Sequence, residues 1–178
     1  MKISISRECS EFLRESNGHP LVKFLPKEGS DQRKLKVRKG KANSNFDISF
    51  NTVFSDHPDL RQRCIFTNGI AGLSKAEESS DPLFEAFYIF PSDGYKFIYS
   101  PNVFNSSIQY KETLEKFVEF LGADGAIETF SDVLKYDYMS TDLASGISLG
   151  SEIILYGIQY YYALKMDSVK SYSTLFSL

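Results

Sequence analysis

Apolar positions along the chain recur in two rhythms, and the switches between them mark out helices and strands. Cys9, Phe12 and Leu13 fall at i, i+3 and i+4, one face of a first helix with Ser4 or Ser6 as its N-cap and Gly18 as its stop. His19-Pro20 breaks that helix, residues 21–25 read as a short strand, and 27–31 form a turn-rich link. In 33–41 six of nine residues are Lys or Arg, interleaved with Leu35 and Val37. Such alternation suits an extended edge with one charged face, Leu35 and Val37 turning inward. Phe46, Phe50, Val53 and Phe54 give a second helix that ends near Asp56-His57-Pro58. Residues 64–67 read as a strand running into an Asn68-Gly69 turn, and Ser74 with Glu77 as a capping box for a short helix stopped by 79–82.

Two hairpins are expected further on. Residues 84–90 and 95–99 are rich in Phe, Tyr and Ile and flank Pro91-Ser92-Asp93-Gly94, a turn signal between two β-prone runs, with Pro101 closing the second. Residues 151–156 and 159–164 make a similar pair around Gly157. Between them, Leu114, Phe117, Val118 and Leu121 mark a helix ending at Gly122. Ile127, Phe130, Val133 and Leu134 mark another, Leu143 sits on a short third piece, and 146–150 read as a loop. From Asp167 the chain is polar and is expected to adhere loosely. Helices clustered between hairpin-linked strands predict one α+β domain over 1–178, with a mixed or antiparallel sheet rather than a doubly wound one.

Composition adds limits more than positive signals. The 178 residues suffice for one core without staples, and 15 Phe with 11 Tyr predict an aromatic-rich one. A net charge of −3 speaks against nucleic acid as a general partner, the 33–41 run being the local exception. A guarded sheet edge is the plain reading of that run, and a phosphate- or RNA-facing edge the alternative. Cys9 and Cys64 are too few and too far apart for a metal site and read as buried thiols in a reducing compartment. No apolar run resembles a secretory core, and 153–164, the longest apolar-rich stretch, is interrupted by Gly157 and Gln159 and too short for a bilayer.

Chemistry is sparse. There is no GxxxxGK[ST] or GxGxxG phosphate loop, and no serine-hydrolase elbow is expected. His19 and His57 each stand beside a proline in a turn, without evident partners for a triad or a metal. One carboxylate stands out. Glu152 opens the apolar run Ile153-Ile154-Leu155, where it could be held rigidly at a cleft and stabilise a developing cation or bond a sugar hydroxyl. An ordinary edge glutamate at a strand start is the competing reading.

Several segments, taken in order, resemble a family of phage-encoded proteins similar to mono-ADP-ribosyltransferases. They are Leu21-Val22-Lys23-Phe24, Lys36-Val37-Arg38-Lys39, Phe50-Asn51-Thr52-Val53-Phe54 and Ile65-Phe66-Thr67-Asn68-Gly69, then the 88–101 run, Gly150-Ser151-Glu152-Ile153-Ile154-Leu155 and Tyr160-Tyr161-Tyr162. Order and spacing agree over most of 21–164, and the 88–101 and Glu152 segments are the most telling. The resemblance implies a split-sheet core with flanking helices and NAD as the substrate. It implies that Glu152 bonds the nicotinamide ribose and stabilises an oxocarbenium-like transition state. Thr67 would help organise that site. Lys23 would stand where the family carries a phosphate-gripping arginine, keeping the charge but losing the bidentate fork.

Two readings follow. In the first the protein is a phage-type NAD-dependent transferase that modifies a host macromolecule in the host cytoplasm. In the second it keeps the fold without catalysis and binds a host protein or sits in the phage particle.

Overall fold

The computed structural model describes residues 2–40, 44–54, 56, 59–73, 81–168 and 172. Its centre is a seven-stranded sheet in which every neighbouring pair is antiparallel. The strands are β1 (Leu21–Pro26), β2 (Gln32–Lys36), β3 (Ile65–Gly69), β4 (Phe84–Pro91), β5 (Lys96–Tyr99), β6 (Glu152–Tyr156) and β7 (Tyr160–Lys165), in the order β2-β7-β4-β1-β3-β6-β5. Helices α1 (Lys2–Glu8), α2 (Ser10–Glu15), α3 (Asn45–Val53), α4 (Ser106–Gln109), α5 (Lys111–Asp137) and α6 (Leu143–Ser148) complete an α+β fold. Among the described residues no helix is long and apolar enough to cross a membrane.

The sheet has a narrow joint. β1 pairs with β4 along its whole length, Leu21 to Pro26, but meets β3 only through Leu21↔Gly69 and Val22↔Asn68. Four strands therefore lie on one side of the joint and three on the other, and beyond Val22 the strands β1 and β3 part.

Neither expected hairpin forms. β4 pairs with β1 and β7 while β5 pairs with β6, and β6 pairs with β3 and β5 while β7 pairs with β2 and β4. Both turns carry the chain across the joint instead. Tertiary contacts use up the groups that would close the first turn. The Asp93 N–H donates to Glu8 O (2.7 Å), and the Asp93 carboxylate accepts from Glu11 N and Ser10 Oγ (both 2.9 Å) at the start of α2. The Gly94 N–H donates to Glu11 Oε2 (2.7 Å). A turn sequence permits reversal, but strand pairing is decided by which faces must be buried.

Other expectations shift in smaller ways. The first helix is two, α1 and α2, and it begins ahead of Ser4 and Ser6, which therefore do not cap it. Ser44 caps α3 with Asp47 in a reciprocal capping box. Asn68-Gly69 is not a turn but the paired end of β3. α5 breaks at Gly122, whose φ of 73° ends one helical run and begins the next, as the periodicity required. Part of the expected loop at 146–150 is helical, and Gly146 lies there because a Cβ would come within 2.9 Å of the Tyr99 ring. The capping box at Ser74 and Glu77 and most of the tail lie outside the described residues, though Tyr172 stacks on Phe90 with centroids 5.9 Å apart.

The sheet buries both faces. One core cluster joins Cys9 and Phe12 of the first helices and Ile147 of α6 with Leu21, Phe90, Ile153 and Leu155, and Phe12 meets the Phe90 ring edge-on at 6.0 Å. A second joins Phe50 of α3 and Leu114, Phe130 and Leu134 of α5 with Ile98, Ile154 and Tyr156. Being covered on both sides, β6 reads as an unbroken apolar run rather than an alternating one. Each fully buried Phe contributes about 1.5–3 kcal/mol over exposure.

Candidate functional site

The three candidate residues lie on adjacent strands at the joint, Lys23 on β1, Thr67 on β3 and Glu152 on β6. β6 is an interior strand, so Glu152 is not a solvated edge carboxylate. It is 5% exposed, its N–H donates to Val103 O (2.9 Å), and its Oε1 accepts from the Ser106 N–H (3.2 Å). Burial pushes its carboxyl above the ordinary carboxylate range, against the opposing pull of the Ser106 hydrogen bonds and the charges of Arg61 and Lys23.

Lys23 fills the gap where the strands part. The Gly69 N–H donates to Ser151 O, which turns the backbone groups of Ile65, Thr67 and Gly69 toward β6 and those of Phe66 and Asn68 toward β1. Past Asn68, β1 no longer offers a backbone partner, and the Phe66 carbonyl faces the gap. The Lys23 ammonium donates to it at 2.9 Å. Burial lowers the pKa of Lys23, while Cys64 and Glu152 pull the other way.

Lys23 and Glu152 line one cavity of about 180 Å³, together with Val22, Phe24, Phe66, Asn68, Leu73 and Asn105. Thr67 does not join them. In the β3–β6 ladder it stands opposite Ile153, and its side chain shares the face of Ile65 in the first core, where the hydroxyl donates to Ile153 O (3.0 Å). Expected to help organise the site, Thr67 is buried and faces away from the cavity, because neighbours on a strand project to opposite faces. The position facing the cavity belongs to Asn68, opposite Glu152, whose Nδ2 donates to Phe104 O (2.9 Å). Strand alternation alone could have singled out Asn68, had Asn68-Gly69 been read as strand rather than turn.

Arg61 is a second residue that sequence reasoning passed over. Its side chain is 7% exposed and ion-paired with Asp47 (3.1 Å). Its guanidinium lies 4.3, 4.6 and 5.1 Å from the ring centroids of Phe66, Phe46 and Phe50. It supports the cavity wall at Phe66 from behind and places a fixed positive charge near Glu152. Nothing in the local sequence marks it, since the cage is assembled from α3 and β3.

Other candidate chemistry recedes. Gly146-Ile147-Ser148-Leu149-Gly150 satisfies the GxSxG pattern but is not a nucleophile elbow. Ser148 ends a short helix and its hydroxyl donates to Ser145 O (2.9 Å). Burial pushes both thiols, Cys9 and Cys64, up to about 12, so neither is a thiolate at neutral pH. His57 lies outside the described residues. Among the described residues no three His, Cys, Asp or Glu side chains gather where they could hold a metal ion. A cavity of about 730 Å³ between α3 and α5 has its charges matched pairwise as Arg61–Asp47 and Lys111–Glu115.

Compared with known proteins, the chain matches no family model, no curated protein and no solved structure.

Proposed function

We propose that this protein is an NAD-dependent mono-ADP-ribosyltransferase of the phage type, acting on a host macromolecule, with Glu152 as its catalytic carboxylate. The observation that carries this reading is the meeting of a buried carboxylate, Glu152, and a half-buried lysine, Lys23, in one cavity at the joint of the sheet. A rigidly held carboxylate out of water suits a reaction that develops positive charge. In the transfer, the bond between the nicotinamide nitrogen and ribose C1′ breaks and its electron pair leaves with nicotinamide. The ionised Glu152 carboxylate stabilises the cationic ribose, and a nucleophile of the acceptor bonds to C1′ and gives up its proton. The Ser106 N–H holds the carboxylate in place, and Asn68 ties down the same loop through Phe104 O.

The cavity is smaller than the roughly 300–1,000 Å³ of pockets that enclose a whole drug-sized ligand. It would take one end of NAD, the remainder lying outside it. Lys23, already donating to Phe66 O, would have to exchange that bond for a phosphate contact.

That last observation favours a second reading, in which the fold is kept without catalysis and the protein serves as a host-protein-binding or particle component. Nicotinamide release and ADP-ribose transfer from labelled NAD separate the two. A transferase releases nicotinamide, and Glu152→Gln lowers turnover by roughly two to three orders of magnitude while NAD affinity changes little. A purified protein that neither binds NAD nor releases nicotinamide, with Lys23→Arg restoring neither, leaves the second reading standing.

A further inference from the structure

β2 is a terminal strand of the sheet, paired on one side with β7 and, among the described residues, without a strand partner on the other. Two hydrogen bonds fix which of its backbone groups are free. Lys165 N donates to Asp31 O (2.8 Å) and Val37 N donates to Gln159 O (2.8 Å). The odd-numbered residues of this register therefore direct their backbone toward β7, and Lys34 and Lys36 direct theirs outward. The Lys34 and Lys36 side chains share one face of the strand, as i and i+2, about 6.6–6.8 Å apart along it.

Beside this edge lies a hollow of about 500 Å³, lined by Lys34, Lys36, Lys39 and Arg63 over Val37, Ile158, Gln159 and Tyr160. Among the described residues no carboxylate lines it, although the chain as a whole is acidic at −3. Among the described residues Lys36 and Lys39 have no ion-pair partner within 4.0 Å. At the Lys34 end, the Glu8 carboxylate already shows what the surface receives. Its Oε2 accepts from Lys34 Nζ (3.0 Å) and from the hydroxyls of Tyr160 (2.9 Å) and Tyr162 (2.7 Å).

Lysines along an open edge also serve as a guard against aggregation. A guard needs charge along the strand and nothing more. It does not account for Lys39 beyond the end of β2 or for the apolar floor of Val37 and Ile158, whereas Arg63 at the rim is paired with Asp59 (2.8 Å). A nucleic acid could use the charges but has no N–H and C=O at strand spacing to satisfy the outward groups of Lys34 and Lys36. An extended peptide has both.

We propose that the open edge of β2 and the basic hollow beside it form a docking site for an extended acidic segment of a partner protein, which joins the sheet as an eighth strand. Main-chain hydrogen bonds to Lys34 and Lys36 hold the segment, and acidic side chains on alternate positions meet Lys36 and Lys39. The inference is independent of the transferase reading, and NAD is omitted from its test.

The probe is a fluorescein-labelled peptide of about eight residues alternating Glu with Val, followed by fluorescence anisotropy at low salt. Saturable binding that weakens as salt rises is expected. Two versions, N-methylated at alternate amides in either phase, keep the charge and lose one pairing edge each. At least one should bind about tenfold or more weakly. The double variant Lys36→Glu, Lys39→Glu, with an unchanged circular dichroism spectrum, should lose about tenfold or more. Unchanged binding by both methylated peptides or by the double variant would overturn the proposal. So would tighter binding of an oligothymidine of equal length, which makes the edge a nucleic-acid surface. No binding of either probe leaves β2 as a guarded edge and also overturns it.

Discussion

Asn68 stands directly opposite Glu152 in the β3–β6 ladder, and the two side chains grip the same loop, Asn68 through Phe104 O and Glu152 through the Ser106 N–H. The loop that closes one wall of the cavity is thus tied to the strands that carry its carboxylate. Asn68→Ala removes the Nδ2 donor to the half-buried Phe104 carbonyl. A stability loss of about 1–3 kcal/mol is expected by denaturant titration, with faster amide exchange at Ser106. A loss near zero with unchanged exchange would mean that the loop holds itself.

The raised pKa of Glu152 sets a sign for stability against pH. The folded state binds this proton more readily than the unfolded state, so stability contributed here is full below the ordinary carboxylate pKa. It is lost as pH rises through the elevated folded value. Glu152→Gln, which cannot ionise, is expected to raise Tm at neutral pH and to flatten that decline. A lower Tm at every pH would show that the carboxylate stabilises the fold in its charged form.

Glu8 acts in the opposite direction. Its hydrogen bonds from Arg7, Tyr162, Lys34 and Tyr160 hold its carboxyl well below the usual range. That stabilisation is present above the ordinary carboxylate pKa and disappears as pH falls toward the lowered one. Glu8→Gln should lower Tm at pH 7 and leave little difference from the parent at strongly acid pH. Thermal melts across the acid range read both effects, and parallel curves would count against this account.

Asp93 tests why the first expected hairpin fails to form. Its carboxylate serves the first-turn donors of α2, so Asp93→Ala should cost about 1 kcal/mol, the loss of a helix cap. The accompanying change should be exchange at Ser10 and Glu11, not between β4 and β5, which do not pair. Protection lost between those two strands would restore the hairpin interpretation.

Two glycines should answer substitution differently. A Cβ on Gly69 would lie 1.7 Å from Ile147 O, a backbone atom that cannot move aside cheaply. Gly69→Ala is expected to cost about 3 kcal/mol or more. Gly94 has open space and needs only its φ of +81°, so Gly94→Ala should cost about 1 kcal/mol. Equal losses, measured by denaturant titration, would remove the distinction between contact and conformation.

What the sequence determined by itself was mostly local. Periodicity located the helices around Phe50, Phe117 and Phe130 and the break at Gly122 between the last two. Alternation located β2 with its charged face, and the unbroken run after Glu152 marked a strand with both faces covered. These signals depend on neighbours a few residues apart, which a single sequence displays. Tertiary structure alone decided the partners. The two turn-linked strand pairs were sent to opposite sides of the joint because each strand's apolar faces had to meet particular helices, and the Asp93-Gly94 turn was drawn into capping α2. The site was half legible. Glu152 and Lys23 do share a cavity, but Thr67 turns its side chain to the other face and yields that place to Asn68. Arg61 enters through an aromatic cage built from segments distant in sequence. Which face a side chain takes is fixed by register, and register is set by burial across the whole sheet, information that no local stretch of the chain contains.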